Sequence, residues 1–262
     1  MAFTISHLLD VLFYSALSLV FLSFIFIPIE KAFPAKEGQQ ILRQGWMTDA
    51  CFFFGQYLFW NGVVLWLLGV FADSVDGVMP RNISKWAAEL PFLVQVFIVV
   101  VMSDIFIYWA HRLQHNVPFL WRFHAVHHSA EHLDWLAAHR EHPLDTIYTV
   151  GIINLPAIFL GFPLESIAGL IAFRGIWAIY IHSNVRLSLG PVRWLIGSPE
   201  LHHWHHDKDR FAGNYANLSP MMDILFGTYS CPPSEPESFG TQEEQPRSYF
   251  GLLMKPVLPT RR

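Results

Sequence analysis

Very little of this chain is charged. Asp, Glu, Lys and Arg make up 15% of its 262 residues, against 53% hydrophobic and 16% aromatic, which is too little polar surface for a water-soluble domain of that size. No excess of basic residues is present either. A net charge of -4 and a pI near 6.4 give no electrostatic footprint for nucleic acid, so no nucleic-acid partner is expected. Cysteine is almost missing: Cys51 lies in an apolar run and Cys231 in a Pro-rich tail, which excludes a disulfide framework and a thiolate metal site. The N-terminus lacks a basic stretch and a small-residue cleavage pattern, and reads as an anchor rather than a signal peptide.

What the chain does have is apolar length. Residues 11–29 and 50–72 carry no charge, and residues 90–110 carry only Asp104. At about 1.5 Å per residue each can cross a hydrocarbon core of about 30 Å. Two weaker segments, 146–164 and 166–181, are separated by Gly161-Phe162-Pro163 and marked by Pro156 and Arg174; they either span or form a shallow hairpin. Pro156 is tolerable among neighbouring helices, and Arg174 must face protein, water or the interface. The expected fold is therefore all-α and membrane-integral, with about three transmembrane helices and a further helical hairpin. It forms a single domain over 1–262.

Lys and Arg set the expected orientation. Lys31, Lys36 and Arg43 precede the second segment and many Arg and Lys follow His111, whereas the 73–89 loop holds only Arg81 and Lys85. The positive-inside rule then puts the N-terminus outside and everything after the third segment on the cytosolic side. The tail from Cys231 to Pro246 reads as a surface loop. The apolar patch Tyr249–Met254 after it reads as a packed helix, with membrane-surface contact as the alternative.

Histidine is the one abundant metal ligand. All of the 14 histidines except His7 fall between His111 and His206. They form His111-Arg-Leu-Gln-His115, His124-Ala-Val-His127-His128 and His202-His-Trp-His205-His206. On a helix, positions i, i+3 and i+4 share a face, so each cluster is expected to aim its rings at one point. Eight such ligands exceed a single zinc site, and two metals account for them. Imidazole suits several metals. Iron is preferred because the substrates available beside membrane helices are lipids with unactivated C–H bonds, whose attack needs redox chemistry that zinc lacks.

Other residues complete the expected centre. Asp104, Tyr108, His111 and His115 are spaced by four, three and four, so one helix face runs from membrane to metals, with Asp104 placed to orient a ligand. Carboxylates holding the outer ring nitrogens are expected; the candidates are Asp104, Glu131, Asp134, Glu141, Asp145, Glu200, Asp207 and Asp209. His142 and His182 could complete the shells, with a buried, hydrogen-bonded histidine as the competing reading. His203 points about 100° away from His202 on a helix, and His132 and His139 have no partner at suitable spacing; these three are not expected to be ligands. Tyr108, Trp121, Trp204 and Tyr215 are candidate pocket walls.

At these residues, from about Asp104 to Thr228, the sequence resembles the fatty acid hydroxylase superfamily, also called the sterol desaturase family. The resemblance rests on Asp104-x-x-x-Tyr108-x-x-His111-Arg-x-x-His115, Trp121-Arg-Phe-His124-Ala-Val-His127-His128, Arg140-Glu-His142-Pro143, His182-Ser-Asn184, Pro199-Glu-Leu-His202 through His206, and Asn214-Tyr215 with Asp223 to Thr228. It implies a cytosolic histidine-rich dimetal cap holding two Fe ions, with Asp223 beside the ligands. It also implies an O2-dependent oxidoreductase that hydroxylates or desaturates a lipid such as a fatty acyl chain, sterol or lipid headgroup. Electrons are expected from a separate donor of ferredoxin or cytochrome b5 type with a reductase. The rival readings are a membrane zinc hydrolase, a metal transporter, whose ligands should lie near the bilayer midplane, and a histidine-rich scaffold.

Overall fold

The computed structural model describes residues 5–78, 80–162, 168–187, 189–209 and 213–258. Pro163, in the turn expected between the fourth and fifth apolar segments, lies outside them. The described residues are helical, with isolated bridges at Pro34–Val185 and Asp207–Phe239.

Helix α1 covers Ile5–Ala32. Helix α2 (Trp46–Gly55) runs through a π-helical turn (Gln56–Trp60) into α3 (Asn61–Asp76). After α4 (Arg81–Glu89) comes α5 (Phe92–Asn116). Three spans, Ile5–Ala32, Trp46–Val75 and Phe92–Asn116, are long and apolar enough to cross a membrane, and little of each is buried inside the protein. The expected pattern of three long apolar helices is present. The fourth and fifth segments form the shorter α7 (Pro143–Phe159) and α8 (Ala168–His182). Pro156 sits inside α7 without ending it.

Arg174 on α8 faces protein. Its guanidinium donates to Asp104 on α5 at 3.1 Å and to the Val100 carbonyl at 3.0 Å. Both partners are buried, so each charge is compensated where water is scarce.

Proline places the corners that bring the histidines together. Val117 is extended (φ -101°, ψ 112°) because Pro118 follows it, so α5 stops and α6 (Pro118–His128) begins with Pro in its first turn. Pro143 opens α7 and Pro199 opens α9 (Pro199–His205) in the same way. Helices α10 (Met221–Leu225) and α11 (Tyr249–Met254) complete the chain. Helix α5 packs chiefly against α7 and α6, and α8 against α9. At 25 residues, α5 is about 37 Å long, longer than an apolar layer of about 30 Å.

The segment 231–246 is more than a surface loop. Phe239 is buried against Ala130, Leu133 and Ala137, and Glu235 accepts from Arg186 and His203. The segment straps the histidine region.

Candidate metal centre

The rings gather into two adjacent groups, and the sequence clusters do not map onto them one to one. His111, His115, His124, His128 and His205 form the first group; His127, His182, His202 and His206 form the second. Helix α6 therefore sends His124 and His128 to one point and His127 to the other, and α9 sends His205 to the first and its i, i+4 pair His202 and His206 to the second. The expectation that each cluster serves one point holds for His111 and His115 alone. The consecutive pairs straddle the gap: the His128 and His206 rings stack at 4.3 Å between centroids.

Ring nitrogens within each group nearly touch. Nε2 of His111 lies 3.0 Å from Nε2 of His124, and those of His115 and His205 are 3.2 Å apart. In the second group His182 Nε2 lies 2.9 Å from His127 and 2.9 Å from His202, and His206 lies 3.0 Å from His202.

The outer nitrogens decide what these contacts are. His111 Nδ1 faces the Tyr215 carbonyl at 2.8 Å and His124 Nδ1 an Asp145 carboxylate oxygen at 2.9 Å. His127 faces the Arg140 carbonyl (3.2 Å), His182 that of Ala178 (2.7 Å) and His205 that of Gly213 (2.7 Å). A neutral imidazole has one N–H. With that proton donated outward, the inner Nε2 of His111 and His124 both present lone pairs, as do those of His127 and His182. Facing lone pairs repel, and a cation between them turns the repulsion into attraction. A metal–nitrogen bond of about 2.1 Å at near right angles gives an edge of about 3.0 Å, matching the observed separations. The donor set fits a metal ion in each group.

The rings are kept neutral. Burial, reinforced by the neighbouring imidazoles, holds His124, His127, His128, His202, His205 and His206 well below the usual imidazole range. Neutral rings are the form that ligates metal.

Behind the rings stand groups that fix their aim. Asp145, one of the carboxylates expected there, also accepts from Gln114 at 2.6 Å. Asp223 accepts from the Tyr215 and Ala216 amides at 2.8 Å and from the Thr228 hydroxyl, so it secures the loop whose carbonyl holds His111. Gly213 adopts φ 91°, and a Cβ there would collide with the Thr228 carbonyl; only glycine can offer its carbonyl to His205 here. Tyr108 bonds Thr228 and Arg112 through its hydroxyl (3.1 and 3.0 Å) and packs on Tyr215, one layer out from the rings.

The structure corrects three sequence expectations. Asp104 pairs with Arg174 and orients no ligand. His142 stands outside both groups: its Nδ1 accepts from the Leu144 amide and its Nε2 donates to the Leu253 carbonyl, both at 3.2 Å, so neither nitrogen is left for a metal. Trp204 is buried and donates to the Ser234 carbonyl, a structural anchor. His182, by contrast, joins the second group. His203 bonds Glu235 and Ser183 and His139 packs on Phe53, away from both groups. Trp121 and Tyr215 pack on His115, at 5.1 and 5.3 Å between centroids.

Sequence reasoning missed the network behind His127. Arg140 and Arg43 share Asp49, and Arg43 also grips Asp134; all four are buried. Asp49 lies just outside the charge-free run 50–72, so only its position beside an apolar segment could have drawn notice.

The fold and these two cages define a helical protein with paired imidazole sites at the ends of apolar spans. The chain belongs to the fatty acid hydroxylase family, whose model matches residues 96–228. Its relatives include the ornithine lipid hydroxylase OlsE of Rhizobium tropici, 35% identical over 56% of this chain and 45% of the relative. Alkylglycerol monooxygenase of Homo sapiens is 34% identical over 47% of this chain and 27% of the relative. The Delta(7)-sterol 5(6)-desaturase ERG3A of Gibberella zeae is 32% identical over 51% and 37%. The chain thus spans less than half the length of these relatives. No solved structure matches it.

Proposed function

We propose that the chain is a membrane oxidoreductase that hydroxylates a lipid, or desaturates it, through two iron ions held by the two histidine groups. The observation that carries this reading is the facing lone pairs of His111 with His124 and of His127 with His182, which a cation in each group resolves. Bound iron, with O2 as co-substrate and electrons from a separate ferredoxin or cytochrome b5-type donor and its reductase, supplies the oxidising chemistry. Two of the relatives named above carry hydroxylase or monooxygenase in their names and act on lipids, which favours hydroxylation over loss of two hydrogens.

The chain's own residues bind, orient and exclude water. His111 and His115 are half-buried while the second group is wholly buried, so a lipid carbon approaches the first group. Trp121 and Tyr215 flank it. The Nδ1 partners of His111, His124, His127, His182 and His205 keep the proton on the outer nitrogen and the lone pair inward in those five rings. The excess of Lys and Arg after His111 supports a cytosolic side for this region.

The test is lipid composition in cells with and without the protein, seeking a lipid that gains one oxygen or loses two hydrogens, with His127→Ala as the inactive control. Purified protein should contain two irons per chain and consume O2 when reduced. A zinc-loaded protein that consumes no O2 would favour the hydrolase reading instead.

A further inference from the structure

The last described stretch of the chain has two faces. Leu252 is 0% exposed and packs between Phe52 on α2 and Val126 on α6, directly behind His124 and His127. Around it Phe250 is 75% exposed, Met254 49%, Val257 51% and Leu258 52%. A helix of six residues that leaves this much apolar surface outward is unusual in water.

Its position explains the exposure. Tyr249 packs on Phe52 at 4.7 Å and its hydroxyl closes on Gly55, within the first three turns of the Trp46–Val75 span. That span, at 30 residues, is about 45 Å long, the thickness of a bilayer with its headgroup layers. Helix α11 therefore lies level with the boundary between headgroups and acyl chains. Met47 on α2, Phe119 on α6 and Leu144 on α7 are exposed apolar residues on the elements around it. Two ties hold it: the His142 ring donates to the Leu253 carbonyl at 3.2 Å and Arg122 to the Leu258 carbonyl at 2.8 Å. The exposed Arg247 precedes it, where a cation meets lipid headgroups favourably.

We infer that residues 249–258 form an in-plane membrane foot, with Phe250, Met254, Val257 and Leu258 dipping into the boundary of the leaflet nearest the histidine groups while Leu252 braces α6. His142, unused by the metals, is its tether. The inference rests on the membrane reading of the three spans but not on turnover.

The full chain, with Cys51→Ser and Cys231→Ser, is reconstituted in vesicles of phosphatidylcholine with a minor share of phosphatidylglycerol. Spin labels are placed in separate variants at Phe250→Cys and Met254→Cys. Labels at Trp66→Cys, on the outward face of α3, and Glu244→Cys, in an exposed loop, give the lipid and water references. Both foot labels should collide with O2 severalfold more than with a water-soluble nickel chelate, as at Trp66. A profile like that of Glu244 would overturn the inference, and so would shielding from both reagents, the mark of cover by a second copy. A Trp66 reference that itself reads as aqueous would instead sink the membrane reading. Iron content unchanged in all four variants separates either failure from failure of the metal reading.

Discussion

At the scale of single residues, function follows from which nitrogen carries the proton. Asp145 accepts from His124 Nδ1 and from Gln114 with its two oxygens. In Asp145→Asn one oxygen survives for Gln114, and the amide that replaces the other can only donate. His124 must then accept at Nδ1 and carry its proton on Nε2, where it blocks the metal. The expected result is a loss of about 10–100-fold in iron affinity, read by chelator competition, with the helical content unchanged. The histidine boxes and their spacing were legible in the sequence because i, i+4 geometry is local. Whether His142 or His182 reaches a metal was not. That choice depends on where α7 and α11 come to lie for His142 and where α8 comes to lie for His182, and no local spacing encodes it.

Elements show the same division. The apolar runs announced the spans, whereas the helix starts at Pro118 and Pro199 emerged only in the structure. The partition of His127 from His128 was hidden: i, i+3 and i+4 spacing read as three rings aimed at one point, and only the packed fold sends His127 to a second group. The strap at 231–246 was hidden too, since a segment rich in Pro, Ser and Glu gives no sign that Phe239 and Glu235 reach inward.

Between α2 and the 3-10 turn Ala137–His139 lies a group with a pH consequence. His139 packs on Phe53 at 4.8 Å, faces Gln56 at 3.2 Å, and is pushed down to about 4 by burial. Unfolded, it titrates near 6.5. The unfolded chain therefore binds the extra proton first, and stability present above pH of about 6.5 is lost as pH falls towards about 4, by ~3 kcal/mol in all. His139→Phe keeps the packing on Phe53 and removes the titration. Its melting temperature in detergent should fall less steeply than the wild type's across that window; parallel curves would assign the acid sensitivity elsewhere.

For the whole molecule the question is what the buried charges among the spans do. Arg174 and Asp104 bond each other between α8 and α5, away from the rings. Arg174→Met alone strands a carboxylate and should cost about 3–5 kcal/mol, visible as poor folded yield. The double variant Arg174→Met with Asp104→Leu should recover folded yield and normal iron content, because the pair serves packing. A double variant that folds but holds no iron would give Asp104 a part in the centre after all.

Helices α6 and α9 each supply both histidine groups. Whatever fills one group immobilises the two rods that carry ligands for the other, so the second ion enters a cage already ordered by the first. On the proposed two-iron reading, loading is then cooperative: when ferrous ion is limiting, the population should divide between empty and doubly filled chains, with the half-filled form scarce.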